Sequence, residues 1–292
     1  MTEDRVRFYS DGIPMSAVLV VDELTPATSR PAFVYSHGWG GAVNAGALPL
    51  VRSLAGVGYV GLAIDHRGFA HSGGTRARCD PNEQARDVSN AVDYLLARPD
   101  VDPDRVIVVG ASFGGAIAVL SAARDRRLAA AVVLVGVGDG ERWLRGVHGD
   151  EAWPTLLERL RADAVTRATT GRGELVSFST LLPGPDGPSA PDLDPIASMY
   201  PHGYPLENLE LAIACRPEDQ IAAISPRPVV LIGVDDDSVV PIDETVALHQ
   251  RAMEPKRLIR FPTGDHGGPL GPHADEVARA IVELVSELGA PA

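Results

Sequence analysis

Val106-Ile107-Val108-Val109-Gly110-Ala111-Ser112-Phe113-Gly114-Gly115 is the stretch whose reading decides the fold. A run of β-branched residues ending in glycine reads as a buried strand leaving a sheet. Phe113 to Ala123 is small and apolar, good helix material, so Ser112 stands at a strand-to-helix corner. Such a corner strains the backbone and crowds the neighbouring elements, which is why glycine flanks the serine on both sides. The geometry exposes the serine oxygen at the top of the sheet and aims a helix N-terminus at whatever that oxygen attacks. An ordinary Gly-rich turn has the same composition. What separates the two readings is whether the rest of the chain supplies a base, an acid and a second set of backbone donors.

Upstream of the corner, Val6 to Phe8 and Met15 to Val21 flank the turn-rich Ser10 to Pro14, a hairpin pattern. Thr25 to Pro31 is a polar loop, and Ala32 to Ser36 is a buried strand running into His37-Gly38-Trp39-Gly40-Gly41. Ala45 to Val57 has helical spacing and stops at Gly56-Val57-Gly58. Tyr59 to Ile64 is the next strand, followed by Asp65-His66-Arg67-Gly68, and Gln84 to Leu96 is a helix with Pro81 ahead of it. Downstream, Ala130 to Val135, Val229 to Val234 and Arg257 to Phe261 read as strands, with helices at Glu244 to Met253 and Ala274 to Leu288. Strands alternating with helices over short connections make a doubly wound, mostly parallel α/β sheet, here with an N-terminal hairpin. Ligands of such sheets bind beyond the carboxyl ends of the strands, and the Gly-rich and acidic motifs singled out below each lie just after a strand.

One interval breaks the alternation. From Asp139 to Ser225 no buried strand is evident, far more chain than such connections usually take. Trp153, Leu156, Leu157, Leu160 and Ala164 have helical spacing, Leu206, Leu209, Ala212 and Ile213 suggest a second helix, and Leu182 to Pro195 is a Pro/Gly/Asp loop. Residues 139–225 are therefore expected to form an inserted, mainly helical cap, with residues 1–138 and 226–292 forming the core domain. Its Trp143, Trp153, Phe178, Met199 and Tyr204 are candidates to line an apolar acyl or aryl pocket.

Composition narrows the class of function. Of the 292 residues 45% are hydrophobic and 22% charged, enough for a large core, and the net charge of −13 disfavours nucleic acid and anionic membranes. No apolar run is long enough to span a bilayer, and Met1 to Arg7 has no apolar stretch behind its charges. Cys79 and Cys215 form no Cys-x-x-Cys pair, so neither a metal site nor an oxidising compartment is indicated. The expectation is a cytoplasmic protein without metal or cofactor, acting on a small molecule; a homodimer is compatible with the composition.

A serine hydroxyl needs a base to take its proton as it attacks. His266, in Thr263-Gly264-Asp265-His266-Gly267-Gly268 after the last strand, is the candidate. The acid that orients it comes from Asp235-Asp236-Asp237, with Asp237 preferred and Asp236 the alternative. An oxyanion hole needs two backbone N–H groups, one expected from Phe113 at the helix start and one from Trp39 in the first Gly-rich loop.

In these motifs and their order the chain resembles the α/β-hydrolase superfamily over nearly its whole length. The Ser-Asp-Gly hairpin, Ser36-His37-Gly38-Trp39-Gly40-Gly41 and the long cap look like its dienelactone-hydrolase-like and esterase branches. The resemblance implies that Asp65 and Arg67, in an Asp-x-Arg-Gly loop, brace structure rather than catalyse. It also implies a serine hydrolase cleaving a carboxylic ester through an acyl-enzyme. The same triad serves carbon–carbon, thioester or amide cleavage, and a binding protein that has lost catalysis would share the fold.

Overall fold

The computed structural model describes residues 1–22, 29–43, 46–184 and 199–288. Its strands are β1 (Thr2–Ser10), β2 (Ile13–Val21), β3 (Arg30–Ser36), β4 (Val60–Asp65), β5 (Val101–Ala111), β6 (Ala130–Leu134), β7 (Leu175–Val176), β8 (Tyr204–Pro205), β9 (Val229–Val234) and β10 (Lys256–Phe261). All but β7 and β8 belong to one 8-stranded sheet in the order β1-β2-β4-β3-β5-β6-β9-β10. From β4 to β10 along that order every pairing is parallel; β1 and β2 add an antiparallel edge. The hairpin turns on Asp11-Gly12, both with positive φ (51° and 78°), the backbone twist that a two-residue connection requires.

The helices are α1 (Leu48–Gly56), α2 (Pro81–Leu96), α3 (Phe113–Arg124), α4 (Gly140–His148), α5 (Trp153–Thr170), α6 (Phe178–Leu181), α7 (Glu207–Ile213), α8 (Ile242–Arg251) and α9 (Ala274–Glu287). Strand alternation places Val106 and Val108 in the apolar core beneath α2 and α3, and Ile107 and Val109 in the one beneath α1 and α9. The doubly wound sheet with its N-terminal hairpin is thus present. Of the expected loops and helix starts, residues 25–28, Ala45 and residues 185–195 lie outside the described residues. Among the described residues no helix is long and apolar enough to cross a membrane.

Residues 139–225 contain the two expected helices as α5 and α7, plus α4, a short amphipathic helix the sequence reading did not assign. Asp139 caps α4 by accepting from the Arg142 N–H at 2.9 Å. The segment leaves and rejoins the core through one neck. Gly140 N–H donates to Cys215 O at 2.9 Å and Glu218 N–H to Gly138 O at 3.0 Å. Buried Glu244 of α8 accepts from the Gly138 and Asp139 N–H groups at 2.8 and 2.9 Å and holds Arg142, which also reaches Glu218. A ring-to-ring path, Phe69–Tyr200–Tyr204–Phe178, ties the segment to the loop after β4.

Candidate active site

Ser112 occupies the corner between β5 and α3 with φ 57° and ψ −129°. A non-glycine residue holds that left-handed backbone only where its surroundings over-determine it. Here the Ser112 N–H donates to Leu134 O at 2.8 Å and its carbonyl accepts from Gly115 N–H at 2.8 Å. The first Gly-rich loop packs directly against the corner. A Cβ on Gly114 would fall 2.3 Å from Ser36 O, and one on Gly38 would fall 3.0 Å from the Ser112 Cβ. Side chains at either position would push the loop away from the serine.

Trp39 and Phe113, the two expected oxyanion donors, stack ring on ring at 5.5 Å, with the Trp143 ring 5.6 and 6.1 Å away. All three are buried, and Trp143 is fixed by donating its indole N–H to Val239 O at 2.8 Å. This cluster anchors the two backbones from behind. Among the described residues neither the Trp39 nor the Phe113 backbone N–H donates a hydrogen bond. The Trp39 indole N–H also lacks an acceptor although buried.

The three consecutive acids after β9 have three different partners. Asp235 meets Arg260. Asp236 accepts from Asp265 N–H at 2.9 Å and so holds the backbone of the histidine loop. Asp237 reaches His266 Nδ1 at 2.9 and 3.1 Å, and its Oδ1 also accepts from the Val239 and Val240 N–H groups at 2.8 Å. The two loops are cross-braced by Asp265 (φ 49°), which accepts from both the N–H and the hydroxyl of Ser238 at 2.8 Å. Burial works to raise the Asp265 carboxyl, but those bonds and the His266 N–H outweigh it and hold it below the usual carboxylate range.

Beneath the first loop lies a second, fully enclosed polar group. His37 Nδ1–H donates to Gly38 O at 2.8 Å, while its Nε2 accepts from His66 N–H at 3.1 Å. Burial, and next the nearby His66, push His37 down to about 3, so it is a neutral strut. His66 Nε2 meets Ser36 Oγ at 2.8 Å, and its Nδ1 lies 3.8 Å from Asp87, beyond hydrogen-bond reach. Arg67 donates to Asp87 from Nε and Nη2 at 2.9 and 2.6 Å, and Asp65 accepts from Val43 N–H at 3.0 Å. These are bracing roles for the Asp65 to Gly68 loop.

Ser112, His266 and Trp39 face one cavity of about 610 Å³, whose walls are mostly apolar. Ser112 Oγ and His266 share that cavity without a hydrogen bond between them. The pocket expected from the inserted segment is not what lines it. Trp143, Trp153, Phe178 and Tyr204 are buried in the apolar core, and Met199 packs against that core from outside. These large surfaces gain more from burial among one another than from facing a void. Among the described residues, Leu182 is the segment's contribution to the cavity. The remaining walls include Val135, Val239, Pro269 and Leu270. Sequence reading missed these because a strand-end valine or a proline after a histidine carries no pocket signal of its own.

Cys79 and Cys215 are free and buried. Burial pushes Cys215 up to about 12 and raises Cys79 as well, so both stay as inert thiols. Among the described residues no group of three or more His, Cys, Asp or Glu is arranged to hold a metal ion.

Several known proteins share this architecture. Thiohydrolase aneE of Aspergillus aculeatus is 24% identical over 311 aligned positions, covering 98% of this chain and 94% of that protein. The structure of DcsB in complex with its substrate analogue superposes with a TM-score of 0.84 at 18% identity, over 99% of this chain and 100% of that one. Est1E of Butyrivibrio proteoclasticus, solved with ferulic acid, matches with a TM-score of 0.68 at 21% identity, over 97% and 98% of the two chains. The model of the alpha/beta hydrolase fold family matches residues 31–270, which run from the start of β3 through the Ser112 corner and the acid loop to the loop carrying His266. With the sheet order and the corner both in place, the chain belongs to the α/β-hydrolase fold family.

Proposed function

We propose that this protein is a serine hydrolase that cleaves a carboxylic ester through an acyl-enzyme. The observation that carries the reading is the double contact of Asp237 with His266 Nδ1, at 2.9 and 3.1 Å, on a ring that shares its cavity with Ser112. Asp237 fixes the tautomer with Nδ1–H, leaving Nε2 as the base that takes the Ser112 proton. A serine hydroxyl swings between staggered rotamers at little cost, so the Ser–His bond forms as the substrate enters. The alkoxide attacks the carbonyl and the oxyanion accepts from the Trp39 and Phe113 N–H groups. His266 then protonates the departing alcohol, and water repeats the cycle on the acyl-enzyme.

In this reading residues 139–225 cap the site and the cavity wall selects the substrate. A thioester is the second reading, favoured by the thiohydrolase name of a relative that aligns along almost the whole chain. The two differ in the leaving group alone. Matched p-nitrophenyl esters and acyl N-acetylcysteamine thioesters tell them apart by kcat/KM.

The mechanism itself is tested by a fluorophosphonate probe. Wild type is expected to be labelled at Ser112, and S112A to be neither labelled nor active. Unlabelled wild type would favour a binding protein, and an active S112A would remove Ser112 from the chemistry.

A further inference from the structure

We infer that Val135 is a specificity-determining residue, a gauge beside Ser112 that admits substrates unbranched next to the reacting carbonyl. The inference rests on the ester-hydrolase reading and goes beyond it by naming the substrate class. Val135 follows the last residue of β6 and has φ +45°. Six non-glycine residues among those described have positive φ: Asp11, Ala70, Ala77, Ser112, Val135 and Asp265. Val135 alone of these is β-branched. Its two methyl groups crowd its own backbone in that region, so a valine is the poorest choice on backbone grounds.

Core packing does not explain the choice. Val135 is buried, 3% exposed, yet it joins neither of the two apolar clusters; it is one of the residues that line the cavity. Leu134 joins the core beneath α1 and α9, and Val137 the core beneath α2 and α3.

Position explains it. Ala111 of β5 pairs with Leu134 of β6, so Ser112 and Val135 leave the sheet side by side, both with positive φ. The pair is locked in place: Ser112 N–H donates to Leu134 O at 2.8 Å and Val135 N–H to Ile232 O at 2.7 Å. The same turn of chain that presents the serine oxygen therefore places Val135 beside it on the wall of the shared cavity. A rigid branched side chain there limits the bulk a substrate carries within a bond or two of its carbonyl carbon, while leaving a straight chain free to run along the cavity.

The test compares wild type, V135G and V135A. The substrates are p-nitrophenyl butanoate against p-nitrophenyl 2,2-dimethylbutanoate, and primary against tertiary alkyl butanoates. In V135G the branched-to-linear ratio of kcat/KM is expected to rise about tenfold or more on at least one side of the ester. Its melting temperature should fall only modestly, because relief of the positive φ offsets part of the buried side chain lost. V135A keeps the unfavourable backbone but loses the methyls; it should shift the ratio the same way while melting below V135G. Ratios within about twofold of wild type in both variants, or a V135G that does not fold, would overturn the inference and return Val135 to ordinary packing. Fluorophosphonate labelling of the wild type is read in parallel. An unlabelled wild type overturns the hydrolase reading, whereas a labelled wild type with unmoved ratios overturns the gauge alone.

Discussion

Asp236 and Asp237 are adjacent, yet the chain turns their carboxylates onto different parts of one loop. Asp237 holds the imidazole of His266, and Asp236 holds the backbone that carries it. Exchanging either for asparagine should therefore have different consequences. D237N is expected to cost about 10³–10⁴ in kcat, because an amide no longer fixes the imidazole tautomer. D236N should mainly lower the melting temperature and leave kcat within about tenfold, since an asparagine oxygen still accepts from Asp265 N–H. The reverse ranking in single-turnover assays would exchange the two roles. Trp39 supports a second residue-scale expectation. Its buried indole N–H lacks an acceptor, a condition that costs about 1–3 kcal/mol. W39F retains the backbone N–H and most of the stacking surface, so it should be neutral or stabilising by denaturant titration. A clear loss of stability would mean that the indole nitrogen is bound after all.

At the scale of elements, what could be read in the chain depended on how strongly each pattern was forced. Strands β3, β5, β6 and β9 are legible because buried parallel strands need unbroken apolar runs. The turns after them are legible because tight corners need glycine. Helix α4 was not, because its nine residues offer only Trp143, Leu144 and Val147 as apolar positions among glycine and charge, too short a pattern to stand out. Of three acids in a row the sequence puts Asp237 ahead of Asp236, a preference with little behind it, since strand-end geometry decides which one faces the imidazole. The place of the segment's aromatics was not legible for a related reason: an aromatic residue in an insertion fits its own core and a ligand pocket equally well on paper. The neck of the 139–225 segment gives a prediction at this scale. Glu244, 3% exposed, receives two backbone N–H groups and Arg142. Glu244→Gln removes the charge opposite Arg142 and leaves one acceptor oxygen, and should cost about 2 kcal/mol. It should also speed tryptic cleavage at the arginines of α5 relative to those of the sheet. Equal acceleration everywhere would mean that Glu244 stabilises the whole chain rather than the neck.

For the whole molecule, the polar group buried under the first loop couples stability to pH. Burial tends to raise the Asp87 carboxyl, but His66 and Arg67 outweigh it, so its folded value lies below the ordinary one. A carboxyl depressed in this way contributes stability that is fully present above its unfolded value of about 3.9. That contribution is lost as the pH falls through the lower folded value. Acid unfolding should therefore steepen below about pH 4. D87N, which leaves Arg67 with only the partly exposed Asp11 as counter-charge, should lose about 3 kcal/mol at neutral pH and show a shallower acid limb. Parallel acid limbs in thermal melts of the two proteins would place the acid sensitivity elsewhere.

The closed neck has a consequence for how such a molecule can change. Residues 140 and 215 are hydrogen-bonded to each other, as are 138 and 218, so this excursion of chain leaves and re-enters at one short junction, and beyond it Trp143, Tyr200 and Asn208 bind it to the loops of the sheet. The cost of closing a loop grows only with the logarithm of its length, so the core is nearly indifferent to how much chain lies beyond that junction. An excursion of a different length and sequence, grafted between Asp139 and Arg216, must still supply a ring where Trp143 packs on Trp39 and Phe113 at the serine corner. The molecule is in this sense a socket whose fitting is exchangeable only where the contact of Trp143 with Trp39 and Phe113 is kept, and chimeras cut at those two residues that retain Trp143 should fold while those that lose it should not.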